Sequence, residues 1–165
     1  MNFRSNGKLL ITGEYLILHG AKSLAVPTSF SQSLNISDQQ KSILSWESYF
    51  QNEIWFKGTI SVPHLEIIES SDPKIAQNLV QILKNVQKIN PEFLTENKGF
   101  EIKSQADFNA NWGLGSSSSL LSNISYWANI DPFQLHDKIS KGSGYDIACA
   151  RSNEAILYQI DNGQK

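Results

Sequence analysis

Gly113-Leu114-Gly115-Ser116-Ser117-Ser118-Ser119 runs straight into Leu120-Leu121-Ser122-Asn123-Ile124-Ser125-Tyr126-Trp127, and the fold turns on how that junction is read. Two glycines let the backbone approach a ligand closely and take positive φ. The serines behind them put hydroxyls on the first turn of a helix, where the opening amides lack intrahelical partners and the macrodipole is positive. Leu120, Leu121, Ile124, Trp127 and Ala128 recur on one face, which predicts a helix over 116–129. Such a junction suits an anion, and a polyphosphate in particular. Glycine and serine content alone reads equally well as a flexible connector whose last serine caps a helix. The stretch is not the usual P-loop, because Gly-x-x-x-x-Gly-Lys-Ser/Thr occurs nowhere in the chain. The dinucleotide fingerprint would need a third glycine at Ser118, and no Gly-x-Ser-x-Gly elbow is present.

Upstream of the loop the pattern is mostly of strands. Lys8-Leu9-Leu10-Ile11 is a short apolar run closed by Thr12-Gly13, and Tyr15-Leu16-Ile17-Leu18 follows in the same strand-like region. Ser33–Ser37 and Ser42–Trp46 flank the polar Asp38-Gln39-Gln40-Lys41 and read as a hairpin. Glu53–Lys57 predicts a further strand. A helix is predicted from Asp72-Pro73, with Asp as cap and Pro at the first helical position, carrying the stripe Ile75, Leu79, Ile82, Leu83, Val86 and Ile89. Phe100, Ile102 and Ser104 alternate with Glu101 and Lys103, as in a half-buried strand. Asp131-Pro132-Phe133-Gln134 opens a short helix with Gln134 placed to close a capping box. Ala155–Ile160 is a late strand. Strands first, then helices interleaved with strands, indicate an α+β domain.

The 165 residues suffice for one domain with a real core. Fourteen basic against sixteen acidic side chains leave a net charge of -2, which gives no broad attraction for nucleic acid or an anionic membrane. No stretch approaches the apolar length of a membrane span. The single cysteine, Cys149, sits among small apolar residues and reads as a packing residue in a reducing, cytoplasmic setting. His19, His64 and His136 form no metal-ligand spacing. Trp46, Trp55, Trp112 and Trp127 read as core or pocket wall.

Two further segments carry chemistry. Gly142-Ser143-Gly144-Tyr145-Asp146-Ile147-Ala148 holds one carboxylate behind a glycine turn, where it can accept or orient a hydroxyl proton; an isolated Gly-x-Asp more often caps the turn that follows. Lys8, behind Gly7, can offset negative charge and lower the pKa of a nearby carboxylate, or can be a solvated strand-edge lysine. Glu14 is a second polar candidate, with a surface turn as the alternative.

The order of these segments is what resembles a known family. Asn6–Tyr15 resembles the first motif of the GHMP kinases, the family of galactokinase, homoserine kinase, mevalonate kinase and phosphomevalonate kinase. Gly113–Ser118 looks like their phosphate-binding motif, and Gly142–Ala148 like the loop of their catalytic aspartate. The string Gly144-Tyr145-Asp146-Ile147-Ala148 is similar to a mevalonate-pathway-like subgroup. The resemblance implies the GHMP N-terminal domain, similar to domain 2 of ribosomal protein S5, over residues 1–165. It implies ATP and Mg2+ as cofactors and phosphoryl transfer to a small metabolite, such as mevalonate or a related acid. Gly113, Leu114, Gly115, Ser116, Ser117 and Ser118 would wrap the ATP phosphates. Ser117 would be the hydroxyl nearest the metal, with Ser118 second. Asp146 would act as base or hydroxyl-orienting group, Lys8 would stabilise charge and tune Asp146, and Glu14 and Tyr15 would lie near the acceptor.

Three departures qualify the resemblance. Asn109 stands where a proline usually leads into the loop. Asp137 is the only carboxylate in the short connection that often carries a metal-binding glutamate. No third, glycine-rich motif occurs, so the C-terminal half of the family's cleft is expected to be absent from this chain. An inactive fragment, or a binding or assembly module that self-associates through the face left by that half, is therefore the alternative to a kinase.

Overall fold

The computed structural model describes residues 1–161, so the last four residues of the expected 1–165 unit lie outside the described residues. Period-two alternation builds β1 (Asn2–Leu10), β2 (Ser23–Gln39), β3 (Ile43–Phe50), β4 (Glu53–Ser61), β5 (Ile67–Ser70), β6 (Gly99–Ala106) and β7 (Ile156–Tyr158). They form one sheet in the order β1-β2-β6-β3-β4-β5, with β7 pairing with the start of β2. The β3–β6 pair is parallel and the other pairs are antiparallel. Leu34, Ile36, Leu44, Trp46, Phe56, Ile60 and Ile102 point to one face and are buried. The alternate positions on these central strands, among them Glu47, Lys57, Glu101 and Lys103, stand on the other face.

The buried face is covered by α1 (Pro73–Ile89), α2 (Ser116–Trp127), α3 (Pro132–Ile139) and α4 (Tyr145–Ala150). The predicted start of α1 holds: Asp72 Oδ1 accepts from the amides of Lys74 and Ile75 at 2.9 and 3.2 Å. Ala76, Leu79, Val80, Leu83 and Val86 then bury one stripe of that helix. At its far end Asn90 Nδ2 donates to the carbonyl of Ala128, 2.9 Å away, and ties α1 to the end of α2. Asp131 caps α3 through the amide of Phe133 at 2.9 Å, but Gln134 makes no return bond and is exposed, so the capping box does not close.

Two local expectations are corrected. Leu16–His19 is a 3-10 turn, not a strand; positive φ at Gly13, Tyr15 and Gly20 coils the chain there. β2 and β3 do not form a hairpin, because β6 lies between them and pairs with both. Gly99 makes that insertion possible. A Cβ on it would lie 1.7 Å from the Lys41 carbonyl oxygen and 2.6 Å from that of Ile43, so only glycine lets β6 pass the connection between β2 and β3.

Gly99→Ala is expected to destabilise the fold by about 1–3 kcal/mol, the range for forced overpacking. A urea titration should show a lower midpoint with unchanged slope. An unchanged midpoint would contradict the close passage.

Candidate phosphate-binding and catalytic site

The glycine-serine loop is held open by its own backbone. Asn109, at the position where proline was expected, accepts from the amide of Asn111 at 2.9 Å and caps a 3-10 turn over Ala110–Trp112. Gly113 at φ 72 and Gly115 at φ 82 then take the left-handed conformation, and α2 begins at Ser116 with no side-chain cap. The first-turn amides of α2 therefore have neither a helical nor a side-chain partner. Ser118 turns inward and donates to the Gly115 carbonyl at 2.8 Å. Ser117 is exposed, and among the described residues no hydrogen bond engages its hydroxyl. Of the two serines expected nearest a metal, Ser117 presents its hydroxyl outward and Ser118 does not.

β1 runs directly under this loop. The Lys8 amide donates to the Leu114 carbonyl at 2.9 Å. The Lys8 side chain crosses Gly115 so closely that a Cβ there would lie 2.9 Å from its Cγ. Its Nζ reaches 5.3 Å from the ring centre of Tyr145, within cation–π range. Tyr145 opens α4, whose preceding turn is set by Gly144 at φ 83 and pinned by Tyr158, which donates its hydroxyl to the Ser143 carbonyl at 2.7 Å. Asp146 lies in the first turn of α4 and is half-buried. Both charges act on one neighbour: burial pushes the Cys149 thiol up to about 11, while Lys8 pulls it down and Asp146 pushes it up. Burial likewise raises Tyr158 to about 12, with smaller contributions from Asp146 and Asp137.

Lys8 thus touches the loop and lies against Tyr145, the residue before Asp146, so three separated stretches of chain come close at this lysine. No ion pair of 4 Å or less joins Lys8 to Asp146. Glu14 and Tyr15 are on the exposed turn beyond β1, and Tyr15 is 80% exposed. No hydrogen bond or ring contact ties either to Lys8, Asp146 or the loop. Asp137 lies 3.2 Å from His136 on α3.

Residues that spacing did not reveal extend the site. A cavity of about 270 Å3 opens beside Ser116 and Ser117, walled by Tyr49, Trp55 and Phe108. A second, of about 570 Å3, continues beneath α1 past Trp55, Asn78, Ile82 and Asn85. Gln32, Trp55, Ser117 and Leu120 line both. Together they give a partly apolar space next to the glycine-serine loop, large enough for a flat aromatic group. Their residues come from strands and helices far apart in sequence, so no local motif marks them; Trp55, half-exposed on a strand, is the only hint. A third depression, of about 530 Å3, lies on the opposite face of the sheet over Glu47, Lys57, Glu101 and Lys103, away from these groups.

Among the described residues no three His, Cys, Asp or Glu side chains cluster as a metal cage. A hard cation that takes most of its oxygens from water and phosphate still fits here, with Ser117 as one protein oxygen.

No family model matches the sequence, and no curated protein matches it. Solved structures do match. L. major mevalonate kinase, in complex with R-mevalonate, aligns at TM-score 0.67 and 19% identity, over 99% of this chain and 50% of its own. A D-glycero-D-manno-heptose 1-phosphate kinase from Bacteriodes thetaiotaomicron aligns at TM-score 0.67 and 16% identity, over 99% of this chain and 57% of its own. Streptococcus pneumoniae phosphomevalonate kinase, in complex with phosphomevalonate and AMPPNP, aligns at TM-score 0.66 and 17% identity, over 96% of this chain and 49% of its own. The chain spans about half the length of these structures. At such identities the likeness establishes the fold: an α+β domain with the architecture of the N-terminal half of the GHMP kinases.

Proposed function

We propose that this chain is the nucleotide-binding half of an ATP-dependent small-molecule kinase of the GHMP type, with mevalonate or a related acid as the acceptor. The observation that carries the reading is the contact of Lys8 with both the Gly113–Ser118 loop and Tyr145, the neighbour of Asp146, together with a partly apolar cavity lined by Ser116 and Ser117. In this reading Gly113, Leu114, Gly115, Ser116 and Ser118 form the backbone cradle of the ATP phosphates. Trp55 and Phe108 flank the base. Ser117 holds Mg2+, which when bound neutralises charge on the phosphates. Asp146 takes or orients the acceptor hydroxyl proton as the new P–O bond forms, the bond to the bridging oxygen breaks and ADP leaves with that electron pair. Lys8 stabilises charge on the transferring group. Glu14 and Tyr15 stand where a second half of the protein would complete the acceptor pocket.

The outer face of the sheet supports a missing half. Along most of the sheet this face is polar, but at the corner of β1, β2 and β7 it becomes apolar. Leu9 pairs with Val26 and Leu24 with Leu157, which puts these four on one face, with Ile11 continuing the β1 alternation. Leu157 is 76% exposed, and Leu9 and Ile11 about half. We propose that a second domain covers this corner in the working kinase. The same corner favours the second reading, in which residues 1–165 alone are an inactive, self-associating module.

In the parent protein, Asp146→Asn is expected to lower kcat by about 10²–10⁴-fold, the usual contribution of a positioned acid–base group, while MgATP affinity changes little. ADP release with mevalonate as acceptor, beside calorimetric titration, reads both; full turnover in the variant removes Asp146 from the mechanism. For residues 1–165 alone, light scattering should show association that the pair Ile11→Glu and Leu157→Glu reverses. A monomer at every concentration would count against the exposed corner as an interface.

A further inference from the structure

Helix α2 meets the sheet through a polar seam. Ser118, Ser119, Ser122, Asn123 and Ser125 are all buried on it, and opposite them lie buried Ser5, Gln32 and Ser104. Every one of these strand groups is bonded. Ser5 Oγ donates to Ser122 Oγ at 2.8 Å or Asn123 Oδ1 at 2.9 Å, and Asn123 Nδ2 donates to the Gln32 carbonyl at 2.8 Å. Arg151 Nε adds a bond to Ser122 Oγ at 3.1 Å. The side chain of Gln32 works at the other end of the helix. Its Oε1 accepts from Ser119 Oγ at 2.6 Å, and its Nε2 donates to Ser104 Oγ on β6 at 2.8 Å. Ser119 Oγ also lies 3.0 Å from the Gly115 carbonyl and 3.1 Å from that of Ser116.

We infer that Gln32 is a positioning residue for the glycine-serine loop, acting through Ser119. Apolar packing lets a helix slide along a sheet with little penalty. A buried hydrogen bond does not, because a shift of one residue leaves donor and acceptor unsatisfied in a place water cannot reach. The Ser5–Ser122–Asn123 bonds fix the middle of α2. The Gln32–Ser119 bond fixes its first turn, and with that turn the position of the Ser116–Ser118 amides. An amide is suited to this place because it offers one donor and one acceptor to two hydroxyls, and this holds whichever way the amide is turned. This inference rests on the proposed phosphate-binding role of the loop.

The test is calorimetric titration of the full chain with magnesium tripolyphosphate and with MgATP. Gln32→Met, which keeps the size and loses the bonds, should weaken both by about tenfold, the scale of one lost buried hydrogen bond. Ser119→Ala removes the same bond from the helix side and should give the same loss; the double variant should lose no more than either alone. Ser122→Ala cuts the seam one turn further on and should lower the melting temperature while leaving both affinities within about twofold. Gln32→Glu places a carboxyl where burial favours its neutral form, which again offers a donor and an acceptor, so it should come nearer to wild-type affinity near pH 5 than near pH 8, each compared with wild type at the same pH. The inference is overturned if Ser122→Ala weakens tripolyphosphate as much as Gln32→Met does. It is also overturned if Gln32→Met weakens MgATP alone, which would make Gln32 a base contact. Wild-type chain that binds neither ligand would remove the phosphate-site reading and this one with it, whereas wild-type binding matched by Gln32→Met and Ser119→Ala would remove only this one.

Discussion

The hydrogen bond from the Lys8 amide to the Leu114 carbonyl, 2.9 Å long, is the contact on which the site's geometry depends. It brings an edge strand and a loop more than a hundred residues later into backbone contact, which side chains would ordinarily prevent. Glycines on both sides allow it. A Cβ on Gly7 would lie 2.5 Å from Thr28 Oγ1 and 3.2 Å from the Leu114 carbonyl oxygen, and one on Gly115 would meet the Lys8 chain. The β1–β2 register shifts between Asn6 and Lys8, at Gly7, so the strand is irregular where the loop arrives. The Gly-Lys pair and the glycine-serine loop are therefore two halves of one joint. A change in either glycine acts on Lys8 and on the loop amides together.

Around that joint the molecule uses two kinds of packing. α1 closes on the sheet through Ala76, Leu79, Leu83 and Val86 against Trp46, Phe56 and Ile60, an apolar contact that supplies most of the burial. α2 is apolar at Leu120, Leu121, Ile124 and its C-terminal end; toward β1 and β2 it presents serines and an asparagine. Polar seams are weak contributors to net stability, because folding exchanges bonds to water for bonds to protein. What they supply is position. The two helices divide the labour: α1 packs on the sheet through apolar side chains, and the helix that carries the loop is the one held by directional bonds.

This division also explains what the sequence made legible. The start of α1 at Asp72, its apolar stripe, the loop–helix junction at Ser116 and the alternation of β6 are local patterns, and each appeared where the pattern put it. The β2–β3 hairpin was misread because strand order is non-local: nothing within Ser33–Trp46 states that residues 99–106 will come between them. The role of α2 was read only in part, since the leucines and isoleucine defined its apolar face while Ser122, Asn123 and Ser125 carried no reading. Their burial depends on partners at Ser5, Gln32 and Ser104, and a hydrogen bond between distant hydroxyls and amides has no periodicity. The cavity beside Trp55 was invisible for the same reason.

β2 shows in one strand why half a site reads so clearly while its acceptor side does not. Its distal part pairs with β6 and alternates buried Leu34 and Ile36 with polar Ser33, Asn35 and Ser37, as a strand with one solvated face should. Its first residues pair with β1 and β7, and there the inner positions are the small Ser23 and Ala25 while the outer ones are Leu24 and Val26. The hydrophobic side has changed faces along a single strand. Small inner residues leave room for α4 to pack against β1 and β2, and the large outer ones form the apolar corner. The phosphate side of the proposed site is built within this chain, from groups that already touch one another. The exposed turn bearing Glu14 and Tyr15 adjoins the apolar corner, so whatever covers that corner would also complete the surroundings of those two side chains.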